Sequence, residues 1–181
     1  AGNVDVRKGQ TNTEVDFLNN IVATKNVLES MRESQTCKKI IFTSSSVVYG
    51  ENPIMPTPEN YGPLIPISLY GGSKLACEAL ISGYVGTFGI EAVIFRLANV
   101  IGPRSGHGII FDFLTKLKLS NGRRLEILGD GKQKKSYLYI DDCIDALLLG
   151  LNEFESRLEI FNVGSDDQVD SDTIAQIIID E

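Results

Sequence analysis

Cysteine, histidine and basic residues are all scarce in this chain of 181 residues. Its three cysteines, Cys37, Cys77 and Cys143, are far apart and show no CxxC spacing. Such a scattered, odd set predicts reduced thiols in a cytoplasmic protein and argues against a disulfide framework. With His107 as the one histidine and no cysteine cluster, the sequence predicts no structural metal site.

The net charge of -7 leaves no basic stripe for neutralising phosphates, so neither nucleic acid nor an anionic membrane is an expected partner. No apolar run approaches the roughly 18 residues of a membrane span. Hydrophobic residues make up 43% and charged residues 23%, the balance of a globular protein. The chain begins at AGNVDVRKG, without a start Met or a signal-peptide pattern, and we expect a cut end there.

Short β-branched runs alternate with helical stretches along the chain. This alternation predicts βαβ units and a parallel sheet, hence an α/β fold. A loop with five prolines is expected over residues 52–67. The predicted helices are residues 14–33, 69–88 after a Ser68 cap, 109–119, 141–151 and a last one opened by Ser171; the predicted strands are residues 40–43, 91–100, 125–128, 136–140 and 158–164.

Tyr70 and Lys74 are spaced i, i+4 near the start of a predicted helix, so they share one face. A free tyrosine has a pKa of about 10, and a neighbouring ammonium group stabilises its phenolate. Together with a serine from the hydroxyl-rich strand end at residues 44–46, the pair predicts proton abstraction from an alcohol whose hydride leaves to a cofactor. Taken alone, the spacing more often marks a solvated surface pair than a catalytic one.

Several linked motifs point to one family. SSSVVYG at residues 44–50, YGGSK at 70–74 and RLANVIGPR at 96–104 follow one another in order, together with Asn19-Asn20, GDGKQKKSYLYIDDCIDA and FNVGS. The chain resembles the extended short-chain dehydrogenase/reductases, above all the NAD-dependent nucleotide-sugar epimerases of the UDP-glucose 4-epimerase type. The resemblance implies a partial Rossmann-type doubly wound parallel sheet with a small substrate-binding part. Residues 1–103 would be the C-terminal portion of the NAD-binding domain, and residues 104–181 would carry substrate segments interleaved with its last strand and helix.

The resemblance also implies roles for individual residues. The catalytic set would be Ser45, Tyr70 as base and Lys74. The cofactor NAD would lie against Gly2, Asn19, Ser45, Tyr70, Lys74 and Ala98. The substrate, a UDP-sugar, would lie against Val47, Asn99, His107, Gly108, Ile109, Glu126, Leu128 and Lys135. Lys135 stands where many relatives have an arginine facing the diphosphate, and a lysine loses the bidentate fork.

The implied reaction is reversible 4-epimerisation of a UDP-glucose or UDP-galactose type sugar through a 4-keto intermediate, an isomerase step of nucleotide-sugar metabolism. The resemblance further implies a homodimer through the helices containing Asn20–Arg32 and Tyr70–Tyr84. Related dehydratases carry an acid at the position of Val47, and elimination of water needs such a group. The sequence therefore disfavours a dehydratase.

Two alternatives stay open: a nucleotide-sugar reductase or dehydrogenase of the same family, and a catalytically silent truncated fragment or interaction module. The one GxxGxxG pattern, at Gly83, Gly86 and Gly89, ends a predicted helix and precedes a strand. It therefore cannot present a helix N-terminus to a phosphate. We expect the family's phosphate loop to be absent from this truncated chain, which leaves NAD versus NADP and the identity of the sugar open. Weak NAD binding and little turnover are expected of these 181 residues alone.

Overall fold

The computed structural model describes residues 2–3, 8–51, 54–152 and 154–181. The chain divides into two compact units, Ala1–Leu97 with Ile144–Val163, and Ala98–Cys143 with Gly164–Glu181. Asn52 and Pro53, the first residues of the predicted proline-rich loop, lie outside the described residues. The functional division predicted at residue 103 stays a prediction.

Helices and strands alternate along the chain, as the sequence predicts. The helices are α1 (Lys8–Thr11), α2 (Glu14–Asp16), a π-helical turn (Phe17–Val22), α3 (Ala23–Glu33), a 3-10 turn (Ser46–Tyr49), α4 (Leu69–Phe88), α5 (Ile109–Leu119), α6 (Ile140–Asn152) and α7 (Ser171–Asp180). The strands are β1 (Lys39–Ser45), β2 (Glu91–Leu97), β3 (Asn99–Ile101), β4 (Lys134–Lys135), β5 (Tyr137–Tyr139), β6 (Leu158–Val163) and β7 (Val169–Asp170). Among the described residues no helix is both long and apolar enough to cross a membrane.

The first unit contains a parallel sheet in the order β1-β2-β6. Ser44 pairs with Arg96, and Arg96 pairs with Asn162, so the carboxyl ends of the three strands meet at one edge. Ligands of open α/β sheets bind outside that edge. The α/β class predicted from the sequence is confirmed.

β2 is the centre of the core because it is covered on both faces. On one face, Ala92 and Ile94 pack with Leu28 of α3 and Ile81 of α4. On the other, the rings of Phe95 and Phe161 stack 5.8 Å apart. A Cβ at Gly150 of α6 would lie 2.7 Å from the Phe95 ring, so only glycine lets α6 approach this closely. The continuous apolar run over residues 92–95 is explained by this two-sided burial.

The helix that carries Tyr70 begins and ends as its sequence predicts. The Ser68 hydroxyl accepts the Gly71 N–H at 3.0 Å, which satisfies one of the free N–H groups of the first turn. At the other end Gly89 adopts φ +68°, a left-handed helix ending that favours glycine. The GxxGxxG pattern is therefore a helix ending and not a phosphate loop.

The second unit is built on two short ladders, with β3 parallel to β5 and β4 antiparallel to β7. Phe113 of α5 packs with Ile174 and Ala175 of α7, and apolar side chains such as Leu125 and Ile127 cover this cluster. The strand predicted at residues 125–128 is wrong. Its alternating apolar residues do face the core, but the Glu126 carbonyl accepts from Lys116 Nζ at 2.7 Å and not from a partner strand.

Helix α7 begins at Ser171, as the sequence predicts. Its capping side chain is Asp170, which accepts the Thr173 N–H at 2.8 Å. The predicted helix over residues 14–33 is confirmed as a nearly continuous helical stretch, but it contains the π-helical turn. Such turns are rare and are frequently found at functional sites.

Candidate active site

The helix spacing of Tyr70 and Lys74 places both side chains at the carboxyl end of β1. Lys74 Nζ donates a hydrogen bond to the Thr43 carbonyl at 2.8 Å. The same ammonium group lies 4.8 Å from the Phe42 ring centre and 5.8 Å from the Tyr70 ring centre. Both aromatic rings attract the cation, so Lys74 is held between the strand and Tyr70. The predicted pairing of Tyr70 with Lys74 is thus present in the structure.

Burial shifts both ionisable groups toward their neutral forms. The pKa of Tyr70 is raised from its ordinary value, first by burial and then by the negative charge of Asp16, while a hydrogen bond with Ser45 opposes the rise. The pKa of Lys74 is lowered, mainly by burial, against the influence of Cys77 and Glu78. The proton-abstraction argument required a lowered tyrosine pKa, and in this structure the direction is the opposite. The raised pKa favours the phenol form of Tyr70, so a role as base would require further positive charge nearby.

Ser45 lies where β1 gives way to the 3-10 turn. Its hydroxyl accepts the Val47 N–H at 3.5 Å, which caps that turn, and it lies within hydrogen-bonding reach of Tyr70. Val47 is half-buried and carries no ionisable group. The arrangement provides a hydroxyl beside the tyrosine and no acid at position 47. It therefore suits transfer of a proton to or from one oxygen rather than elimination of water.

A buried ion pair joins α4 to β2 near the carboxyl ends of the strands. Glu78 of α4 is 5% exposed and Arg96 of β2 is 4% exposed, and Arg96 Nη2 donates to Glu78 Oε2 at 2.7 Å. The Ser44 hydroxyl donates to Glu78 Oε1 at 2.5 Å. Ser44, the neighbour of Ser45, is thus hydrogen-bonded to Glu78 of α4 and linked through it to Arg96 of β2. A buried pair of this kind fixes geometry when all its partners are present.

Arg96 also fixes the proline-rich loop. Its Nη1 donates to the Tyr49 hydroxyl at 2.9 Å and to the Glu59 carbonyl at 3.0 Å. The Tyr49 hydroxyl in turn donates to Asn162 Oδ1 at 2.7 Å, and the Asn162 N–H donates to Glu59 Oε1 at 3.0 Å. One network therefore links the ends of β2 and β6 to the loop that precedes Tyr70. Sequence reasoning missed it, although Arg96 is the first residue of the quoted motif RLANVIGPR.

Of two predicted cofactor residues, Asn19 lies within the π-helical turn and Gly2 lies against it. Asn19 is exposed, whereas its neighbour Asn20 is 4% exposed. A Cβ at Gly2 would lie 2.7 Å from Asn20 Oδ1. Asn20 Nδ2 donates to Ser73 Oγ of α4 at 2.8 Å. Of the two adjacent asparagines, Asn20 is therefore the one bonded to the helix that carries Tyr70.

The second unit carries the remaining predicted site residues. Asn99 Nδ2 donates to the Ser136 carbonyl at 3.0 Å, next to Lys135 of β4. Gly108 has φ +91° and directly precedes α5, and the exposed His107 precedes it in turn. Ala98 and Ile109 are half-buried, while Glu126, Leu128 and Lys135 are exposed. These contacts do not test the substrate and cofactor roles predicted for these residues, which stay predictions.

The residues of the first unit fit the ribose end of a nicotinamide cofactor. Among the described residues, Lys74 Nζ has one hydrogen-bond acceptor, the Thr43 carbonyl, and an ammonium group has three protons to donate. Two ammonium protons of Lys74 and the Tyr70 hydroxyl therefore remain to bond the two hydroxyl groups of a ribose. Over the same part of the chain, no group of three or more His, Cys, Asp or Glu side chains is placed to hold a metal ion.

The chain is similar in sequence and in structure to UDP-glucose and UDP-galactose 4-epimerases. The chain is 35% identical over 182 residues to a putative UDP-glucose 4-epimerase of Methanocaldococcus jannaschii, covering 98% of this chain and 58% of that protein. A crystal structure of a UDP-galactose 4-epimerase is 41% identical with a TM-score of 0.89, over 99% of this chain and 59% of that one. A UDP-glucose 4-epimerase of Thermotoga maritima, solved with UDP-glucose, is 30% identical with a TM-score of 0.88, over 99% and 58%.

The chain therefore spans less than two thirds of the length of these relatives. The sequence model of the NAD dependent epimerase/dehydratase family matches residues 1–164. Since this match covers most of the chain and agrees with the fold, the chain belongs to the NAD dependent epimerase/dehydratase family.

Proposed function

We propose that this chain carries the proton-transfer centre of an NAD-dependent 4-epimerase acting on a UDP-sugar. The observation that carries the proposal is the placement of Tyr70 between Ser45 and Lys74 at the carboxyl end of β1. The relatives named above are UDP-glucose and UDP-galactose 4-epimerases, which supports this substrate class. The substrate and the activity of the whole protein remain part of the proposal.

In this proposal the Ser45 hydroxyl orients the C4 hydroxyl of the sugar, and Tyr70 takes its proton. A bound NAD, held at its ribose by Lys74, would supply the hydride acceptor and donor for C4, so that the sugar passes through a 4-keto form. Tyr70 then gives its proton back to the C4 oxygen. Because the net proton balance is zero, one tyrosine suffices for both halves, and no acid is required at Val47.

Lys74 would have two tasks. Its spare ammonium protons would bond the nicotinamide ribose, and its charge would stabilise the Tyr70 phenolate. Burial raises the pKa of Tyr70 in the structure, so the tyrosine keeps its proton until the positive charge of the nicotinamide joins that of Lys74. Proton abstraction would thus be coupled to cofactor binding. Gly2, Asn19 and Ala98 are proposed along the cofactor.

The second unit would supply the sugar-nucleotide contacts. Asn99, His107, Gly108, Ile109, Glu126, Leu128 and Lys135 are the proposed residues. Lys135 would contact the diphosphate as a point charge. A homodimer through α3 and α4 remains a proposal on the resemblance alone.

The test has a binding arm and a turnover arm. In the binding arm, NAD is titrated into the chain while the signals of ring-labelled tyrosine are followed, and only the Tyr70 signal should shift; Lys74→Met should weaken this response. In the turnover arm, the chain is incubated with NAD and UDP-galactose, and UDP-glucose is measured. Tyr70→Phe should lower any turnover by about 10²–10⁴-fold, the usual worth of a general acid/base.

Tyr139→Phe is the matched control, because Tyr139 is a 45% exposed tyrosine of the second unit. A Tyr70 signal that does not respond to saturating NAD, or measurable turnover that is equal in wild type and Tyr70→Phe, would contradict the proposal. Build-up of NADH in proportion to substrate would favour the alternative, a nucleotide-sugar dehydrogenase.

A further inference from the structure

Four buried polar side chains cluster where residues 16–20 pack against α4, the helix that carries Tyr70. The exposed fractions are 2% for Asp16, 4% for Asn20, 4% for Ser73 and 8% for Asn3. Polar groups this deeply buried are costly unless they are bonded. Their partners therefore decide what the cluster does.

The Asn20 side chain is fixed in one orientation. Its Nδ2 donates to Ser73 Oγ at 2.8 Å and to Asp16 Oδ1 at 3.4 Å, and its Oδ1 accepts the Asn3 N–H at 2.9 Å. If the amide were turned over, its oxygen would face the Asp16 carboxylate and its NH2 group would face the Asn3 N–H. Both contacts would be repulsive, so the carboxylate selects the observed orientation.

This orientation matters for the helix of Tyr70. The Ser73 hydroxyl donates its single proton to the Tyr70 carbonyl at 2.8 Å, in the first turn of α4. Its oxygen must therefore accept from Asn20, and only the NH2 group of the amide can donate. A continuous chain of hydrogen bonds thus runs from the Asp16 carboxylate through Asn20 and Ser73 to the backbone of Tyr70.

We propose that Asp16 is a positioning residue of the proposed active site, which orients the Asn20 amide and through Ser73 anchors the first turn of the helix that carries Tyr70. The proposal rests on the proposed function for its meaning, since Tyr70 is there the proton-transfer group. Asp16 Oδ1 also accepts from Asn3 Nδ2 at 2.7 Å, so this one oxygen gathers two side-chain amides.

The other carboxylate oxygen of Asp16 lies outside this chain of hydrogen bonds. Asp16 Oδ2 is buried and has no hydrogen-bond partner among the described residues. A Cβ at Gly9 would lie 2.5 Å from it, so α1 closes over the carboxylate. The charge of Asp16 raises the pKa of Tyr70 in addition to burial. Asp16 therefore also favours the phenol form, in which Tyr70 returns a proton to the substrate oxygen.

Other ionisable groups lie on Tyr70's own helix and on the elements packed against it. They are Glu14 of α2, Lys25, Glu29, Arg32 and Glu33 of α3, Lys39 of β1, Tyr49 of the 3-10 turn, Lys74, Cys77, Glu78 and Tyr84 of α4, and Glu91 and Arg96 of β2. Among the charged groups of the described residues, Asp16 is the one whose charge raises the pKa of Tyr70. Removing the charge of Asp16 should therefore move the Tyr70 titration, whereas removing an exposed charge nearby should not.

The experiment compares Asp16→Asn with Glu14→Gln in the 181-residue chain. Both remove one negative charge from α2, but Glu14 is exposed and its side chain lies outside the hydrogen-bonded chain. Tyrosine is labelled with ¹³C at the ring carbon next to the hydroxyl, Tyr70 is assigned with Tyr70→Phe, and the pH titration is followed by NMR. We expect the Tyr70 midpoint to fall in Asp16→Asn and to stay at the wild-type value in Glu14→Gln.

A double-mutant cycle with Ser73→Ala tests the path through Asn20. If Asp16 acts through this path, the change that Asp16→Asn makes in the Tyr70 backbone amide signal at neutral pH should be largely lost in the Ser73→Ala background. Additive changes would overturn the positioning role. An unchanged Tyr70 titration in Asp16→Asn, or an equal shift in Glu14→Gln, would overturn the proposal.

A second measurement covers the case in which Asp16→Asn does not fold. In the wild-type chain labelled at asparagine nitrogen, the Asn20 side-chain NH2 protons should exchange slowly with water, and fast exchange would contradict the hydrogen-bonded chain. None of these measurements needs a cofactor or a substrate. The positioning role of Asp16 and the epimerase activity can therefore fail separately.

Discussion

The two units of the molecule are stabilised in different ways. In the first unit Leu28, Ile81 and Phe95 are completely buried, and the charged groups Glu78 and Arg96 are buried and bonded to each other. In the second unit the described core consists of Phe113, Ile174 and Ala175 with half-buried neighbours, while apolar side chains such as Leu119 and Leu128 are more than 80% exposed.

This difference matches the division of labour that we propose. Proton transfer needs side chains fixed in place, and the first unit fixes Tyr70 and Lys74 through strand ends, a helix cap and buried hydrogen bonds. Recognition of a particular sugar nucleotide depends on side chains that can differ from one protein to the next. The second unit offers exposed loops and short strands, where residues can be substituted at little cost in stability. The comparison predicts that the first unit tolerates mutation of its polar groups poorly.

The largest expected effect is that of Arg96→Leu in the first unit. Removing the guanidinium leaves the Glu78 carboxylate buried without its ionic partner and releases the Glu59 carbonyl of the loop. Breaking a buried pair from one side typically costs about 3–5 kcal/mol, and we expect a loss of this size in the free energy of unfolding measured with urea. Arg32→Leu is the control, because Arg32 pairs with Glu29 on an exposed helix face. Equal losses in both variants would mean that burial of the pair is irrelevant.

A smaller change in the free energy of unfolding is expected when helix glycines are replaced by alanine, and its sign should differ between two sites. Gly150→Ala would place its Cβ 2.7 Å from the Phe95 ring and 3.4 Å from the Phe161 ring, so about 1–3 kcal/mol of overpacking should outweigh the gain in helix propensity. Gly86→Ala in α4 meets nothing within 4 Å and should stabilise by about 0.5–1 kcal/mol. Thermal unfolding of both variants measures the two signs. Destabilisation by Gly86→Ala would show that the exposed face of α4 is covered in solution.

The next effect tests the helix cap in the first unit. Ser68→Ala removes the acceptor for the Gly71 N–H and should cost about 1 kcal/mol of unfolding free energy, as N-cap losses usually do. Ser68→Asp should retain the cap and restore most of the stability in urea unfolding. A Ser68→Ala variant as stable as wild type would show that tertiary contacts alone hold the start of α4.

Much of this fold could be predicted from the sequence because its signals are local. The Ser68 cap, the Gly89 ending and the continuous apolar run of β2 each follow from a few adjacent residues. The strand predicted at residues 125–128 was wrong because alternation of Leu125 and Ile127 shows only which side chains face a core, not whether the backbone finds a pairing strand. Pairing is a long-range property that alternation does not encode.

The candidate site shows the same limit. Tyr70 and Lys74 were predictable because a helix brings residues four apart to one face. Asp16 was not, because its partners Asn3, Asn20 and Ser73 are brought together by the fold and not by spacing. The direction of the Tyr70 pKa also depends on burial, which the spacing of Tyr70 and Lys74 does not reveal.

The smallest expected effect concerns the cap of the second unit, which differs from Ser68 in carrying a charge. Hydrogen bonds from Thr173 lower the pKa of the half-buried Asp170 carboxylate from its ordinary 3.8. Since the folded pKa is depressed, the cap contributes its full stability above the ordinary value and loses it as the pH falls through the folded pKa. Stability of the second unit should therefore decline below about pH 4, whereas the serine cap of the first unit has no such dependence.

Asp170→Ser separates this effect from the general acid sensitivity of the chain, because serine caps a helix without a charge. Backbone amide signals of α7 should weaken less on acidification in Asp170→Ser than in wild type, while signals of α4 should respond equally in both proteins. An identical acid response of α7 in the two proteins would mean that the Asp170 charge contributes nothing. The two units would then differ in their cores but not in how their helices begin.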